Sequence, residues 1–193
     1  MPLADPLRPG NRLFVAAELP AAARAELARV GAALAERMGG RAVPAANLHV
    51  TLHFIGRVAP EAGREIVEAV GAALAGPPIR VALGRPRARP RAARATLVAV
   101  ELDDAAGGLA ERARRVREAL DALLGTRSDE APLWPHVTVL RLRRPARLEP
   151  GAAPPGREQV FDVGRGALYD SQQSPGGPPR YRELAAVEFA PVP

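Results

Sequence analysis

The tripeptide His-Val-Thr occurs twice in this chain, at His49–Thr51 and again at His136–Thr138. The chain has three histidines, and two of them lie in these copies. Each copy sits in an apolar, β-branched run of the kind that favours a strand. Because side chains alternate along a strand, each copy is expected to present an imidazole and a hydroxyl on one face and valine on the other.

Two imidazoles on opposite walls of a cleft suit a displacement at phosphorus, in which the attacking and leaving oxygens lie on opposite sides of the atom. Imidazole titrates near neutral pH, so one histidine can remove a proton from water while the other protonates the departing alkoxide. The hydroxyls of Thr51 and Thr138 can donate hydrogen bonds to the non-bridging oxygens, where charge grows in the transition state. This chemistry requires no metal, no cofactor and no covalent intermediate, and we expect none.

Three further residues lie close to the repeated tripeptide. By alternation His53 shares a face with the first motif and can line the cleft, although a partly exposed strand position is the commoner role. Trp134 is more typical of core packing than of a platform for base stacking. Arg141 stands an odd number of positions from the second histidine, so it faces away unless the strand ends or bulges near Leu140.

Composition narrows the class of protein. A length of 193 residues predicts a single domain covering residues 1–193. The net charge of +6 is compatible with a polyanionic partner, but all 27 basic residues are arginine, which indicates a coding bias as much as a basic surface. The absence of cysteine excludes disulfides and thiolate metal sites. Without a signal segment or an apolar run of membrane-spanning length, we expect a cytoplasmic protein with no membrane partner.

Hydrophobic patterns and turn residues predict an order of strand, helix, strand, helix, strand, strand, helix, strand, strand, strand. The predicted strands lie at about 12–19, 47–56, 79–83, 95–102, 136–142, 159–169 and 181–189, and the predicted helices at about 20–38, 60–75 and 104–124. Residues 85–94 are predicted to form a loop rich in proline and arginine, and residues 143–156 an irregular connection. This order favours an α+β architecture of two sheet-based lobes related by an approximate twofold axis. The helices are expected on the outer faces, with the two motif strands facing each other across a central cleft.

The segments NLHVTLHFIG and PHVTVLR resemble the paired His-x-Thr-x motifs of the 2H phosphoesterases, and specifically of the RNA 2′,3′-cyclic phosphodiesterases, also described as 2′-5′ RNA ligases. RLFVAAELP resembles the opening strand of that family, and LYDS followed by GGPPRYREL resembles its closing strands. The resemblance therefore spans about Arg12 to Phe189. It implies the two-lobed fold and hydrolysis of a 2′,3′-cyclic phosphate to a 2′-phosphate, with an RNA or oligonucleotide as the partner. We expect a monomer, although the sequence does not establish the oligomeric state.

The same resemblance assigns roles by motif position. It implies that His49 is the proton donor and that His136 is the base that activates water. Thr51, Thr138 and Arg141 are then expected to bind the phosphate. The chain departs from the family pattern in RPRARPRAARATLVAVEL, where an aromatic residue before the middle strand and a tryptophan within it are expected. The loop at 85–94 is a candidate for RNA contact.

Other functions stay open at this point. A related enzyme could act on a cyclic nucleotide, an ADP-ribose cyclic phosphate or a 2′-5′ linkage, including RNA ligation, with the same catalytic residues. A metal hydrolase using His49, His53 and His136 is opposed by geometry, because residues four apart on a strand lie roughly 13 Å apart and zinc binds imidazole nitrogen at about 2 Å. An RNA-binding module without turnover leaves the doubled histidine unexplained.

Overall fold

The computed structural model of the chain describes residue 7 and residues 10–128, 132–152, 159–174 and 176–190. The strands are β1 Arg12–Glu18, β2 Arg41–Ala42, β3 His49–Arg57, β4 Ile79–Arg89, β5 Ala95–Asp103, β6 His136–Ala146, β7 Val160–Val163, β8 Arg165–Gln172 and β9 Arg180–Glu188. The helices are α1 Ala21–Met38, α2 Gly63–Leu74 and α3 Gly108–Leu124. Within the described ranges, none of these helices is long and apolar enough to cross a membrane.

The strands form two antiparallel sheets, ordered β3-β1-β8-β9 and β2-β6-β5-β4-β7. The first motif lies on β3 and the second on β6, so the two motifs belong to different sheets. Helix α1 follows a strand of the first sheet and packs against β6 of the second, whereas α3 follows a strand of the second sheet and packs against β3 of the first. The predicted α+β fold class is confirmed.

The two motif strands repeat the same pairing with their neighbours. In both sheets a glutamate lies opposite the motif histidine and an alanine lies opposite the motif threonine. These pairs are Glu18–His49 and Ala16–Thr51 on β1 and β3, and Glu101–His136 and Ala99–Thr138 on β5 and β6. The repeat seen in the sequence therefore extends to the strand that supports each motif.

A one-residue β-bulge follows the threonine of each motif. On β3 the bulged residue is Leu52, because the residues on either side of it pair with consecutive residues of β1. On β6 the bulged residue is Val139, for the same reason. The extra residue inverts the alternation of side chains beyond it. On β6 this inversion is visible in the burial of both Val139 and Leu140, followed by the exposed Arg141.

Helix α1 lies against the bulge of β6. A Cβ atom at Gly31 would come within 2.6 Å of the carbonyl oxygen of Val139, closer than real Cβ contacts. The same oxygen accepts a hydrogen bond of 2.9 Å from the backbone N–H of Val43, just after β2. The backbone of the bulge is thus held by a helix on one side and by the neighbouring chain on the other.

The two segments predicted to be irregular are partly strand. Strand β4 runs on to Arg89, and β6 runs on to Ala146. Each extension contains a proline, Pro86 or Pro145, beyond the reach of one neighbouring strand, since β7 pairs only with residues 79–82 and β2 only with residues 140–141. Proline is tolerated in a strand where its missing N–H faces an open edge. Residues 153–156 of the predicted connection lie outside the described residues.

The predicted strand at 159–169 is two strands that belong to different sheets. Strand β7 pairs with β4 in the second sheet, and β8 pairs with β1 in the first. The chain passes from one sheet to the other at Gly164, whose carbonyl oxygen accepts a hydrogen bond of 2.7 Å from the N–H of Phe189. The apolar pattern continues through this crossing, so the pattern alone does not reveal it.

Candidate active site

One cavity of about 770 Å³ receives side chains from both motif strands. Its walls include His49 and Thr51 from β3, and His136, Thr138 and Arg141 from β6. The five site residues predicted from the sequence therefore line the same cavity, although they come from two sheets. Its volume lies in the range typical of sites for small molecules and cofactors.

Arg141 lines this cavity because of the bulge at Val139. In a regular strand its side chain would face away from His136, as simple alternation predicts. The bulge adds one residue between the two and brings Arg141 to the face that carries the imidazole. Simple alternation therefore predicts the wrong face for Arg141. A bulge near Leu140 was the condition under which Arg141 would reach the cavity, and this bulge is present.

His53 lies on the opposite face of β3 from His49. The bulge at Leu52 turns it towards α3, where it lines a second cavity of about 680 Å³. Its pKa is lowered chiefly by burial, with Asp121 raising it and Arg117 lowering it further. The prediction that His53 shares a face with the first motif is wrong. Because the two histidines of β3 line different cavities, the geometry also opposes the three-histidine metal site.

Two hydrogen bonds define the protonation pattern of His49. Its Nδ1 lies 2.8 Å from the carbonyl oxygen of Asn47, and its Nε2 lies 3.1 Å from the hydroxyl oxygen of Thr51. A carbonyl oxygen only accepts, so Nδ1 carries the hydrogen. In the neutral ring Nε2 is then the acceptor, and the hydroxyl of Thr51 donates to it.

The environment of His49 strongly favours the neutral imidazole. The ring centroid lies 5.1 Å from that of Phe14 and 5.2 Å from that of Tyr181. Burial lowers the pKa of His49 to about 4; the hydrogen bond to Asn47 raises it, and the positive charges of Arg141 and His136 lower it further. At neutral pH, and without a bound anion, His49 is therefore uncharged.

His136 has the same backbone anchor but a different neighbourhood. Its Nδ1 donates to the carbonyl oxygen of Trp134 at 2.7 Å, which leaves the lone pair on Nε2. Within the described part of the chain, this Nε2 has no hydrogen-bond partner. Burial is the main cause that lowers the pKa of His136. The hydrogen bond to the carbonyl of Trp134 raises this pKa, and the positive charges of Arg89 and Arg141 lower it further. His136 is thus a neutral base with a free nitrogen.

Several residues around the cavity are absent from the sequence prediction. Three more arginines line its walls, Arg12, Arg41 and Arg143, and make the cavity basic. Trp134, interpreted as core packing, is only half-buried, and its ring stacks on His136 instead. The sequence contained one indication of how the two imidazoles are anchored. Asn47 and Trp134 each stand two residues before a motif histidine. That spacing places a backbone carbonyl beside Nδ1 in both copies.

Known proteins resemble this chain in sequence and in fold. Residues 18–91, which include the first motif, match the family described as LigT like phosphoesterase. The fold resembles Escherichia coli LigT complexed with 3′-AMP, with a TM-score of 0.77 and 28% identity over 93% of this chain and 98% of that chain. It also resembles a phosphoesterase, with a TM-score of 0.76 and 28% identity over 96% of this chain and 99% of that chain.

A third similar structure is TT0787 of Thermus thermophilus, with a TM-score of 0.71 and 26% identity over 92% of this chain and 97% of that chain. Other matching crystal structures of E. coli LigT contain NADP+, ATP or phosphate. No curated protein sequence matches the chain. The chain is therefore similar to the LigT-like phosphoesterases, in sequence over residues 18–91 and in fold over nearly its whole length.

Proposed function

We propose that this chain is a metal-independent phosphodiesterase that hydrolyses the 2′,3′-cyclic phosphate end of RNA to a 2′-phosphomonoester. The observation that carries the proposal is the single cavity that joins two imidazoles, two threonine hydroxyls and one arginine. The motif resemblance supports the cyclic phosphate as substrate. The nucleotides and the phosphate in the similar structures of E. coli LigT support a nucleotide ligand.

His136 is proposed as the general base. Its Nδ1–H is held by a backbone carbonyl, so the available lone pair is on Nε2. Its lowered pKa keeps the ring neutral near pH 7. Nε2 removes a proton from water while the water oxygen forms a bond to phosphorus, a contribution typically worth about 10²- to 10⁴-fold in rate.

His49 is proposed as the general acid. The P–O3′ bond breaks opposite the attacking oxygen, and the Nε2–H of His49 protonates the leaving O3′, which yields the 2′-phosphomonoester. Because burial leaves the free ring neutral, the acid must gain its proton when the anionic phosphate binds, since a nearby negative charge favours the imidazolium.

Thr51 connects this protonation to phosphate binding. In the free site its hydroxyl lies 3.1 Å from Nε2 of His49 and donates to the neutral ring. Once Nε2 carries a proton it no longer accepts, and the hydroxyl is released to donate to a non-bridging phosphoryl oxygen. Charging the acid and completing the phosphate site are thereby one event.

The remaining phosphate contacts come from the second sheet. Thr138 offers a hydroxyl, and Arg141 offers a planar guanidinium that matches two phosphoryl oxygens. The other arginines of the cavity add positive charge around the same anion. The apolar part of the wall, with Phe14, Phe54 and Tyr181, is suited to the terminal base.

The test is hydrolysis of 2′,3′-cyclic AMP and of an oligonucleotide with a 2′,3′-cyclic end, with and without EDTA. The expected product is the 2′-phosphomonoester, identified by ³¹P NMR, at a rate that EDTA does not change. Complete loss on chelation, restored by zinc or manganese, would contradict the metal-independent mechanism. Turnover of an ADP-ribose cyclic phosphate or a 2′-5′ linkage without turnover of either test substrate would move the assignment to that substrate.

A further inference from the structure

Trp134 contacts the ring of His136 in two ways. The indole stacks on the imidazole, with ring centroids 4.0 Å apart and an angle of 18° between the planes. The backbone carbonyl of the same residue accepts the Nδ1–H of His136 at 2.7 Å. One residue therefore holds the imidazole by a face and by an edge.

The indole is itself fixed by two neighbouring strands. Its Nε1–H donates to Glu101 on β5 at 3.2 Å, and the other carboxylate oxygen of Glu101 accepts from Arg87 on β4 at 2.9 Å. The guanidinium carbon of Arg89 lies 3.7 Å from the centroid of the indole, in cation–π contact. Trp134 is thus oriented by a hydrogen bond at its edge and by a cation over its ring.

The first motif has no tryptophan at the corresponding position to stack on its histidine. Asn47 stands at the corresponding position and provides the same carbonyl to His49, but its side chain donates to the carbonyl of Pro179 at 2.8 Å. The carbonyl anchor is therefore common to both histidines, whereas the stacked ring belongs to His136 alone. A residue that served only to fill space beside a motif strand would not need this orientation.

We propose that Trp134 is a positioning residue that sets the plane and the tautomer of His136, so that the unprotonated Nε2 points into the cavity. This inference rests on the proposed role of His136 as the base. The carbonyl contact alone fixes one edge of the ring, and the stack prevents the ring from turning about that edge. The tautomer of a histidine is set by the hydrogen bond of its other nitrogen, so loss of the correct plane also loosens the tautomer.

The charged and titratable groups that face His136 come from four strands. Arg89 lies on β4, Glu101 on β5, Arg141 on β6 and His49 on β3. The Trp134 ring contacts the first two of these directly. Removal of the ring is therefore expected to alter the position of the imidazole relative to both charges.

The test compares Trp134→Leu, which keeps apolar volume but removes the planar ring, with Trp134→Phe, which keeps a ring that can stack. On 2′,3′-cyclic AMP, kcat should fall on the order of 10²-fold in the Leu variant, as expected for a misplaced catalytic group, with little change in KM. The Phe variant should keep most of the activity. Phe161→Leu, which removes an aromatic ring on β7 outside both cavities, serves as the matched control and should leave both constants unchanged.

The second readout is the tautomer of His136, measured by long-range ¹H–¹⁵N NMR of the imidazole without substrate. The parent chain and Trp134→Phe should show the Nδ1–H form alone, whereas Trp134→Leu should show a mixture. Trp134→Met, which also lacks a planar ring but keeps a long apolar side chain, should shift the tautomer in the same direction and provides the test if the Leu variant of Trp134 does not fold. Equal kcat in the Leu and Phe variants, or an unchanged tautomer, would overturn the inference.

Measurement of His136→Ala in parallel separates this inference from the proposed function. Full activity of that variant would refute the role of His136 as base, whatever the tryptophan variants show. Loss of activity in His136→Ala together with full activity and an unchanged tautomer in Trp134→Leu would refute only the positioning role.

Discussion

Strands β3 and β6 share a tripeptide, a cross-strand register and a bulge, yet they place their histidines in different surroundings. His49 is packed between aromatic rings, and its Nε2 lies beside the hydroxyl of Thr51. His136 stacks on Trp134 and lines the cavity, and among the described residues its Nε2 has no hydrogen-bond partner. The repeated backbone fixes where the two imidazoles lie. The neighbouring side chains, which are not repeated, set the pKa of each ring and the hydrogen-bond partners of its Nε2.

The comparison continues beyond the two bulges. The fifth residue after the histidine is Phe54 on β3 and Arg141 on β6, and both line the shared cavity. The fourth residue is His53 on β3 and the buried Leu140 on β6, both on the face away from that cavity. One wall therefore offers an apolar ring and the other a cation at corresponding positions, which suits the proposed ligand with a base at one end and a phosphate at the other.

The largest expected effects separate the two histidines. His49→Ala and His136→Ala should each lower kcat/KM by about 10²- to 10⁴-fold on a cyclic phosphate. On a phosphodiester with an aryl leaving group, which departs without a proton, His49→Ala should recover and His136→Ala should not. The control is His53→Leu, which installs the residue that β6 carries at the corresponding place and should stay close to the parent rate. The reverse pattern of recovery would exchange the two roles.

The depressed pKa of His49 predicts a difference in acid stability. Its pKa is about 4 in the folded chain and about 6.5 when unfolded, so the unfolded state binds a proton first as the pH falls. Between pH 7 and pH 4 the folded chain should lose about 3 kcal/mol of unfolding free energy through this residue. Urea unfolding should show that His49→Asn, which keeps a donor near Asn47 but does not titrate, loses less stability over this range. Equal losses in both proteins would contradict the assigned pKa.

Arg141 provides a test of the wall that is proposed to bind the phosphate. Arg141→Met should raise KM for a cyclic nucleotide roughly 10- to 100-fold, because a hydrogen bond to a charged group contributes about 1.5–3 kcal/mol. Arg144→Met is the matched control, since Arg144 is exposed on the same strand and does not line the cavity. Equal effects of the two substitutions in steady-state kinetics would mean that general positive charge, not the geometry created by the bulge, binds the substrate.

Phe54 provides the corresponding test of the opposite wall. Phe54 is 73% exposed and lines the shared cavity, so its ring is accessible to a ligand bound there. Phe54→Ala should weaken binding of a nucleoside 2′,3′-cyclic phosphate by about 5- to 100-fold, the range for loss of one base stack. A cyclic phosphate without a base should bind equally to both proteins in a calorimetric titration. An equal loss for both ligands would show that Phe54 supports the fold of the site and does not contact the base.

The sequence predicts the elements that carry the motifs, because β-branched runs and helix breakers mark β1, β3, β5, β6 and the three helices clearly. It does not predict which side of a strand each later residue occupies. Alternation placed His53 at the cleft and Arg141 away from it, and a bulge that depends on pairing with another strand reverses both. Arg141 lines the cavity that the family resemblance associates with it, whereas periodicity placed it on the other face. The catalytic and phosphate-binding roles of the five residues stay predictions.

Trp134 shows a different limit of sequence reasoning. A tryptophan before an apolar strand is typical of a core, and its orientation beside a half-buried histidine depends on residues 33 and 45 positions earlier. The crossing at Gly164 is a similar case, since two strands of one apolar run pair with strands far away in the chain. Both features arise from tertiary pairing, which overrides the local pattern.

The contact between Gly31 and the carbonyl of Val139 has a consequence for how the chain tolerates mutation. Gly31 lies on helix α1, which supplies no residue to the cavity wall, so an inspection of the active site would classify it as free to vary. Yet a single methyl group there would press on the bulge that brings Arg141 to the cavity. In a random mutagenesis screen scored by turnover, substitutions of Gly31 should therefore lower activity as substitutions in the cavity wall do. Gly31 itself is buried and does not line the cavity.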